Sequence, residues 1–120
     1  MKTKKYKKIL CFDIDGVICK TIKNNYRSSK PIKKSIETIN ILYNKNFYIK
    51  IFTSRFMGRS KEKKSLAIKK GLGLTKNQLK NWKVQYHELI MGKPSYDLFI
   101  DDKNLSFKKN WQQLLIKKLR

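Results

Sequence analysis

Three short apolar runs in the sequence each end in a tight group of polar residues. The runs are residues 9–12, 47–52, which Lys50 interrupts, and 98–100, and the polar groups are Asp13-Ile14-Asp15-Gly16, Thr53-Ser54-Arg55 and Asp101-Asp102. Continuous apolar runs are typical of parallel strands buried on both faces. We therefore expect three strands whose carboxyl ends carry polar side chains. A fourth, weaker strand is predicted over residues 84–90.

Helical signals alternate with these runs. Apolar residues recur at Ile32, Ile36, Ile39 and Leu42, which predicts a helix over residues 32–45. Ser60 is a candidate N-cap of a helix that ends at Gly71, and a capping box predicts a second short helix over residues 75–81. A last helix is predicted from apolar residues near the C-terminus, namely Phe107, Trp111, Leu114 and Leu115.

The order of these elements is typical of the α/β class. Strand and helix alternate along the chain, which predicts a three-layer, Rossmann-like fold: a mostly parallel sheet, right-handed crossovers and helices on both faces. A length of 120 residues suits one domain, preceded by a basic segment over residues 1–7. The carboxyl ends of parallel strands lie along one edge of a sheet, where ligands bind. The three polar groups are therefore expected to meet there.

The formal net charge of +22 permits an interaction with nucleic acid, because Lys and Arg neutralise phosphates. However, only 4 of the 30 basic residues are Arg, Ala67 is the only alanine, and the lysines are spread along the whole chain. Codon bias would produce this composition without selection for binding and is the favoured of the two explanations, so nucleic acid is a possible partner and not the favoured one. No apolar stretch approaches the roughly 18 residues of a membrane span, and no secretory leader is recognisable, so a cytoplasmic protein is expected.

The acidic residues are few and clustered. Of 8 Asp and Glu residues, half lie in the pairs Asp13/Asp15 and Asp101/Asp102. Crowded carboxylates repel one another unless a hard cation such as Mg²⁺ joins them, and Mg²⁺ is commonly shared with a phosphate. Lys93 and a strand-end hydroxyl would suit the phosphoryl oxygens, which leaves one carboxylate as a nucleophile.

Simpler explanations exist for each group taken alone. An isolated Asp-x-Asp-Gly is compatible with a turn or part of a calcium loop, but the twelfth position of such a loop is Asn24 rather than Glu. Cys11 and Cys19 do not suggest a zinc site, because His87 is the only histidine. The order of the groups along the chain carries the functional interpretation.

Four segments together resemble the haloacid dehalogenase superfamily of phosphatases. Residues 12–17, with Asp13, Asp15 and Gly16, resemble the first motif, and residues 51–55 resemble the second. Lys93 matches the lysine of the third motif, and residues 99–102 match the acidic fourth motif. The resemblance extends from residue 8 to about residue 104.

The resemblance implies a role for each matching residue. Asp13 would be the nucleophile that forms an aspartyl-phosphate, and Asp15 the general acid and base. Thr53, with Ser54 beside it, and Lys93 would hold the phosphoryl oxygens. The resemblance also implies a Mg²⁺ ion bound by Asp13, the backbone carbonyl of Asp15 and Asp101, with Asp102 as a further ligand or an outer partner. Arg55 has no fixed role in the motif, and a contact with phosphate or substrate is one hypothesis.

The spacing of the motifs leaves no room for the cap domain that this superfamily usually carries. The chain is similar to small capless members associated with capsule or polysaccharide biosynthesis. Residues 20–30 and 56–60 would then form the rim of an open site, with Tyr26, Arg27, Phe56 and Arg59 as candidate contacts to the leaving group.

The expected activity is Mg²⁺-dependent hydrolysis of a small phosphorylated metabolite, such as a sugar phosphate. One alternative is a phosphatase acting on nucleotides or on 3′-phosphorylated nucleic-acid ends. A less favoured alternative is a basic nucleic-acid-binding protein with a vestigial site. The sequence does not indicate the oligomeric state.

Overall fold

The computed structural model describes residues 5–120, so residues 1–4 of the predicted basic segment lie outside the described residues. Within this range the chain forms five strands and three α-helices. In chain order they are β1 (Ile9–Phe12), β2 (Cys19–Lys20), β3 (Lys30–Pro31), α1 (Lys33–Asn44), β4 (Tyr48–Thr53), α2 (Lys64–Asn81), β5 (Glu88–Met91) and α3 (Trp111–Lys118). The α/β prediction is confirmed.

The main sheet has three parallel strands in the order β1-β4-β5. Ile9 of β1 is aligned with Tyr48 of β4, and Lys50 of β4 with Glu88 of β5. All three strands run the same way, so the residues after Phe12, Thr53 and Met91 emerge at one edge. The predictions of a parallel sheet and of a common edge for the first two polar groups are confirmed.

One face of this sheet is buried far more completely than the other. Burial alternates along β4, with Ile49, Ile51 and Thr53 buried and the intervening residues only half-buried. The inward residues join a core to which α1, α2 and α3 all contribute, including Ile39, Leu79 and Trp111. On the opposite face Ile9 is 64% exposed. The prediction of helices on both faces is therefore wrong for the described residues, because all three helices pack into one core.

The half-buried face explains the lysine within β4. The Lys50 ammonium lies 3.6 Å from the Glu88 carboxylate on the neighbouring strand, and both side chains are partly exposed. A lysine at this alternate position keeps its charge in contact with water and costs little.

Helix α2 runs without a break through Gly71, where the sequence predicts a helix end. Its range of Lys64–Asn81 absorbs both predicted helices, and Ser60 lies in a preceding 3₁₀ turn rather than at the N-cap. A Cβ built on Gly71 would lie 2.1 Å from Cδ2 of Phe56. The absence of a side chain at Gly71 therefore leaves room for the Phe56 ring, and this glycine does not terminate the helix.

The predicted third apolar strand does not form. Residues 98–100 have no regular secondary structure, and Leu98 and Ile100 are 76% and 86% exposed. The Phe99 ring instead packs beside Tyr96, with centroids 5.0 Å apart. The C-terminal helix is confirmed at Trp111 and Leu115, which are buried.

Candidate functional site

Asp13 and Lys93 meet at the carboxyl edge of the sheet. Asp13 follows β1 directly, and Lys93 lies two residues after the end of β5. The Lys93 Nζ atom is 3.4 Å from Oδ2 of Asp13, although the two residues are 80 positions apart in the chain. The Lys93 backbone N–H also donates to the Thr53 carbonyl at 3.1 Å, which joins the ends of β4 and β5. The sheet thus brings together the acid and the cation that the sequence singles out.

The Asp13 carboxylate is held with one side toward solvent. Its Oδ1 accepts a 2.7 Å hydrogen bond from the Ile14 backbone N–H, and its side chain is 30% exposed. Burial raises the pKa of Asp13, while the positive charge of Lys93 and the Ile14 N–H act in the opposite direction. Removal of Lys93 would therefore raise the Asp13 pKa further.

Lys93 is a buried cation surrounded by aromatic rings. Its ammonium lies 4.9 Å from the centroid of Phe99, 5.0 Å from Tyr96 and 5.9 Å from Phe52. Desolvation acts to lower the Lys93 pKa, but a hydrogen bond with Tyr96 and the charge of Asp13 outweigh it, so the pKa lies above its ordinary value. Lys93 is a fixed positive charge at neutral pH, available to an anion placed beside Asp13.

The Asp15 carboxylate is paired with Arg55. Arg55 donates from Nε to Oδ2 and from Nη2 to Oδ1 of Asp15, each at 2.9 Å. Thr21 donates to the same Oδ1 at 2.5 Å. The chain can turn here because Gly16 has a φ of 88°, a left-handed conformation that favours glycine. The Arg55 side chain has no exposed surface, and its contact with phosphate or substrate stays a prediction.

Thr53 and Ser54 differ in their access to solvent. Thr53 is fully buried, and its Oγ1 accepts a 3.0 Å hydrogen bond from the Arg55 backbone N–H, which leaves the hydroxyl hydrogen free to donate. Ser54 lines a pocket together with Asp13. Of the two hydroxyl residues, Ser54 is therefore the one that a ligand in this pocket meets directly.

The pocket beside Asp13 encloses about 360 Å³. The two predicted rim segments contribute Asn24, Tyr26 and Arg59 to its lining, and Ser95 and Tyr96 follow Lys93 on another wall. The Arg59 guanidinium lies 5.0 Å from the Tyr26 ring centroid and also donates to the Asn24 carbonyl. Ser95 and Tyr96 are not predicted from the sequence, although their position just after Lys93-Pro94 is a signal.

Two other predicted rim contacts do not reach this pocket. Phe56 is buried beneath the guanidinium of Arg59, whose Cζ is 5.1 Å from the ring centroid, and Arg27 is not among the residues that line the pocket.

The second acidic pair does not line the pocket that Asp13 lines. Asp101 and Asp102 are exposed and follow the irregular segment rather than a buried strand. Asp101 accepts a 3.0 Å hydrogen bond from the Lys103 N–H, which, with Asp102, lowers the Asp101 pKa. Desolvation raises the pKa of the Cys11 thiol, the charges of Lys93 and Lys50 act in the opposite direction, and Asp13 and Asp101 add to the rise. The predicted placement of this pair at the end of a third buried strand is wrong.

The donors available for a divalent cation are hard oxygens, which suit Mg²⁺. Asp13 presents a partly exposed carboxylate at the pocket, and Mg²⁺ commonly takes one or two protein carboxylates together with water and substrate oxygens. Over residues 5–120, no three His, Cys, Asp or Glu side chains are close enough together to hold a metal ion. Asp13 is the one predicted ligand that lines the pocket.

Among the described helices, none has the length and apolar character needed to cross a bilayer. No protein-family model and no curated protein matches the chain.

Two solved structures are similar in fold. The crystal structure of an MCSG target from Vibrio cholerae matches with a TM-score of 0.77 and 24% identity, covering 94% of this chain and 99% of that one. A chain in the structure of the Pnkp1/Rnl/Hen1 RNA repair complex matches with a TM-score of 0.51 and 14% identity, covering 92% of this chain and 31% of that one. This protein therefore spans about a third of the chain from the repair complex. At these identities the likenesses show a shared α/β fold alone.

Proposed function

We propose that the protein is a phosphomonoester hydrolase of the haloacid dehalogenase type, acting on a small phosphorylated metabolite such as a sugar phosphate. The observation that carries the proposal is the pairing of Asp13 and Lys93, 3.4 Å apart at the edge of the pocket. A carboxylate beside a buried ammonium offers a nucleophile and an anion-binding charge in one place. The similarity of the four sequence motifs to that superfamily supports the same activity.

In the proposed reaction an oxygen of Asp13 attacks phosphorus, and the ester oxygen departs with the electron pair of the broken P–O bond. Asp15 donates a proton to that oxygen, then accepts one from the water that hydrolyses the aspartyl-phosphate. Lys93 moves from Asp13 toward the phosphoryl oxygens, and the hydroxyls of Thr53 and Ser54 donate to them. Because Ser54 lines the pocket, it has the shorter path to a bound phosphate.

Mg²⁺ is part of this proposal. Asp13, the backbone carbonyl of Asp15 and Asp101 would hold the ion, with Asp102 beside them, and its charge would offset that of the phosphoryl oxygens. For Asp101 to take part, the exposed segment over residues 98–100 has to approach β1, whose outer edge is unpaired among the described strands. Its apolar residues and the exposed Ile9 on β1 favour that approach.

The pocket volume of about 360 Å³ lies at the lower end of the roughly 300–1,000 Å³ typical of small-ligand sites. Its lining is largely polar, with Asn24, Ser54 and Ser95 available to bind hydroxyl groups. These features favour a compact, hydroxylated leaving group.

A nucleotide or a 3′-phosphorylated nucleic-acid end is the second candidate substrate. The net charge of +22 and the Arg59 guanidinium at the pocket favour it, because both would attract a polyanion. The RNA repair complex to which one structural neighbour belongs is a further reason to include oligonucleotides among the substrates tested. A basic binding protein with a vestigial site is the third candidate.

A substrate panel tests the proposal. Sugar phosphates, nucleotides and 3′-phosphorylated oligonucleotides are assayed for released phosphate with and without Mg²⁺, using wild-type protein, Asp13→Asn and the control Glu37→Gln on the exposed surface of α1. We expect Mg²⁺-dependent release with wild type and the control, none with Asp13→Asn, and an acid-trapped phosphoprotein that hydroxylamine cleaves. Equal activity of Asp13→Asn and wild type would contradict the proposal. Tight DNA binding without any hydrolysis would favour the binding protein.

A further inference from the structure

Arg55 is a fully buried charged side chain, which calls for an explanation. It is the largest of the side chains with less than 2% exposure. A guanidinium removed from water destabilises the fold unless charges and hydrogen bonds compensate it. The position after Thr53-Ser54 lies at the active edge of the sheet, yet the side chain does not line the pocket. Its partners therefore show what it does.

The main partner is Asp15, which Arg55 grips with two parallel hydrogen bonds. The 2.9 Å contacts from Nε and Nη2 occupy both carboxylate oxygens, and the Thr21 hydroxyl adds a third bond to Oδ1. Such a fork defines the plane of the carboxylate as well as its position. The Asp15 carboxylate cannot rotate about its terminal bond without breaking these contacts.

The guanidinium is itself fixed by α2 and by the loop between β2 and β3. Gln78 of α2 accepts from Nη1 at 2.5 Å, and Thr75, one turn earlier, lies 3.5 Å from the same atom. The Tyr26 ring lies 4.9 Å from the guanidinium carbon, and Gln78 also donates to the Tyr26 carbonyl at 2.5 Å. Two separate parts of the chain therefore determine where Arg55, and with it Asp15, is held.

We propose that Arg55 is a positioning residue that sets the plane of the Asp15 carboxylate for proton transfer to the leaving group, and that Gln78 holds Arg55 in place from α2. This inference rests on the proposed function, because it assigns a support to the proposed general acid. The proton that reaches the ester oxygen comes from the Asp15 carboxyl, and the one later taken from water returns there.

The test uses two esters of nearly the same shape that differ in their need for an acid. Phenyl phosphate has a poor leaving group, whereas 4-nitrophenyl phosphate releases a stabilised anion that needs little protonation. General acid catalysis contributes about 10²–10⁴-fold, and a misplaced acid loses part of that. In Arg55→Lys, which keeps the charge but loses the fork, we expect kcat for phenyl phosphate to fall about 10-fold or more beyond any fall for the nitrophenyl ester, with similar KM values.

Two further comparisons separate positioning from general damage to the fold. In an Asp15→Asn background, Arg55→Lys should produce no additional difference between the esters, because the group it positions is gone. Gln78→Met, which removes the acceptor for Nη1, should shift the ratio in the same direction, and Gln78→Glu, which keeps that acceptor but loses the donor to the Tyr26 carbonyl, should shift it less. Gln113→Met on the exposed surface of α3 is the matched control. The Gln78 variants carry the test if Arg55→Lys does not fold.

Equal losses for both esters, or a change in KM alone, would overturn the positioning role and leave the proposed phosphatase activity intact. A wild-type protein that hydrolyses neither ester nor any member of the substrate panel would overturn the proposed function, and the role of Arg55 with it.

Discussion

The contact between Gly71 and Phe56 gives a prediction whose sign opposes ordinary helix propensity. Both Gly71 and Gly73 lie within α2, where alanine is normally preferred over glycine by about 0.8–1 kcal/mol. A Cβ on Gly73 would meet nothing within 4 Å, whereas a Cβ on Gly71 would lie 2.1, 2.5 and 2.9 Å from three atoms of the Phe56 ring. Phe56 is itself buried and has a φ of 66°, so its ring cannot easily withdraw.

We expect Gly73→Ala to stabilise the protein by roughly 0.5–1 kcal/mol. Overpacking of a filled core costs about 1–3 kcal/mol, which exceeds the gain in propensity, so Gly71→Ala should destabilise by up to about 2 kcal/mol. Urea denaturation followed by circular dichroism measures both free energies of unfolding. Comparing the free energies of unfolding of two alanine variants on the same helix cancels most of the error of extrapolation to zero urea.

A double-mutant cycle tests the cause. With the ring removed in Phe56→Ala, the added methyl group of Gly71→Ala meets no obstacle and should stabilise the protein as it does at Gly73. The reasoning is refuted if Gly71→Ala stabilises the wild-type protein as much as Gly73→Ala does. The result bears on the site because the Arg59 guanidinium lies 5.1 Å from the Phe56 ring centroid, at the edge of the pocket.

Two further predictions concern the chemistry of the pocket. Since Lys93 opposes the effect of burial on Asp13, Lys93→Met should raise the Asp13 pKa and move the acid limb of the profile of kcat/KM against pH to higher pH. The control Lys69→Met, on the exposed side of α2, should leave the acid limb in place. An unmoved acid limb in Lys93→Met would show that Asp13 does not control that limb. If Mg²⁺ draws Asp101 toward Asp13, then adding Mg²⁺ should slow backbone hydrogen exchange over residues 98–102 in the wild-type protein and leave it unchanged in Asp101→Asn. Unchanged exchange in both proteins would contradict the proposed ligand set.

Local patterns in the sequence predicted the strands and the helix that position the candidate site. The apolar runs before Asp13 and Thr53 became β1 and β4, and the helical spacing of Ile36, Ile39 and Leu42 became the buried side of α1. Strand, helix and strand in alternation require a parallel sheet, and a parallel sheet brings its carboxyl ends to one edge. The meeting of Asp13 and Lys93 across 80 positions was therefore predictable from the order of elements.

The same local rules failed where a distant contact outweighed them. A glycine at position 71 predicts a helix end, but the helix continues, and the close approach of the Phe56 ring explains why the residue is a glycine. Residues 98–100 have the composition of a strand, but Phe99 packs near Lys93 and Tyr96, and Leu98 and Ile100 remain exposed. Composition records how apolar a segment is and does not record which partner covers it.

The side chains of the proposed site could thus be predicted from the sequence, and the residues that hold them in place could not. Residue types and the order of strands predicted an acid, a cation and hydroxyl groups at one edge of a sheet. The buried placement of Arg55, its grip on Asp15 and its anchoring by Gln78 arise from segments that only packing brings together. The identity of one residue does not predict which distant residue it will contact in the folded core. The distance between the two depends on the packing of every element that lies between them.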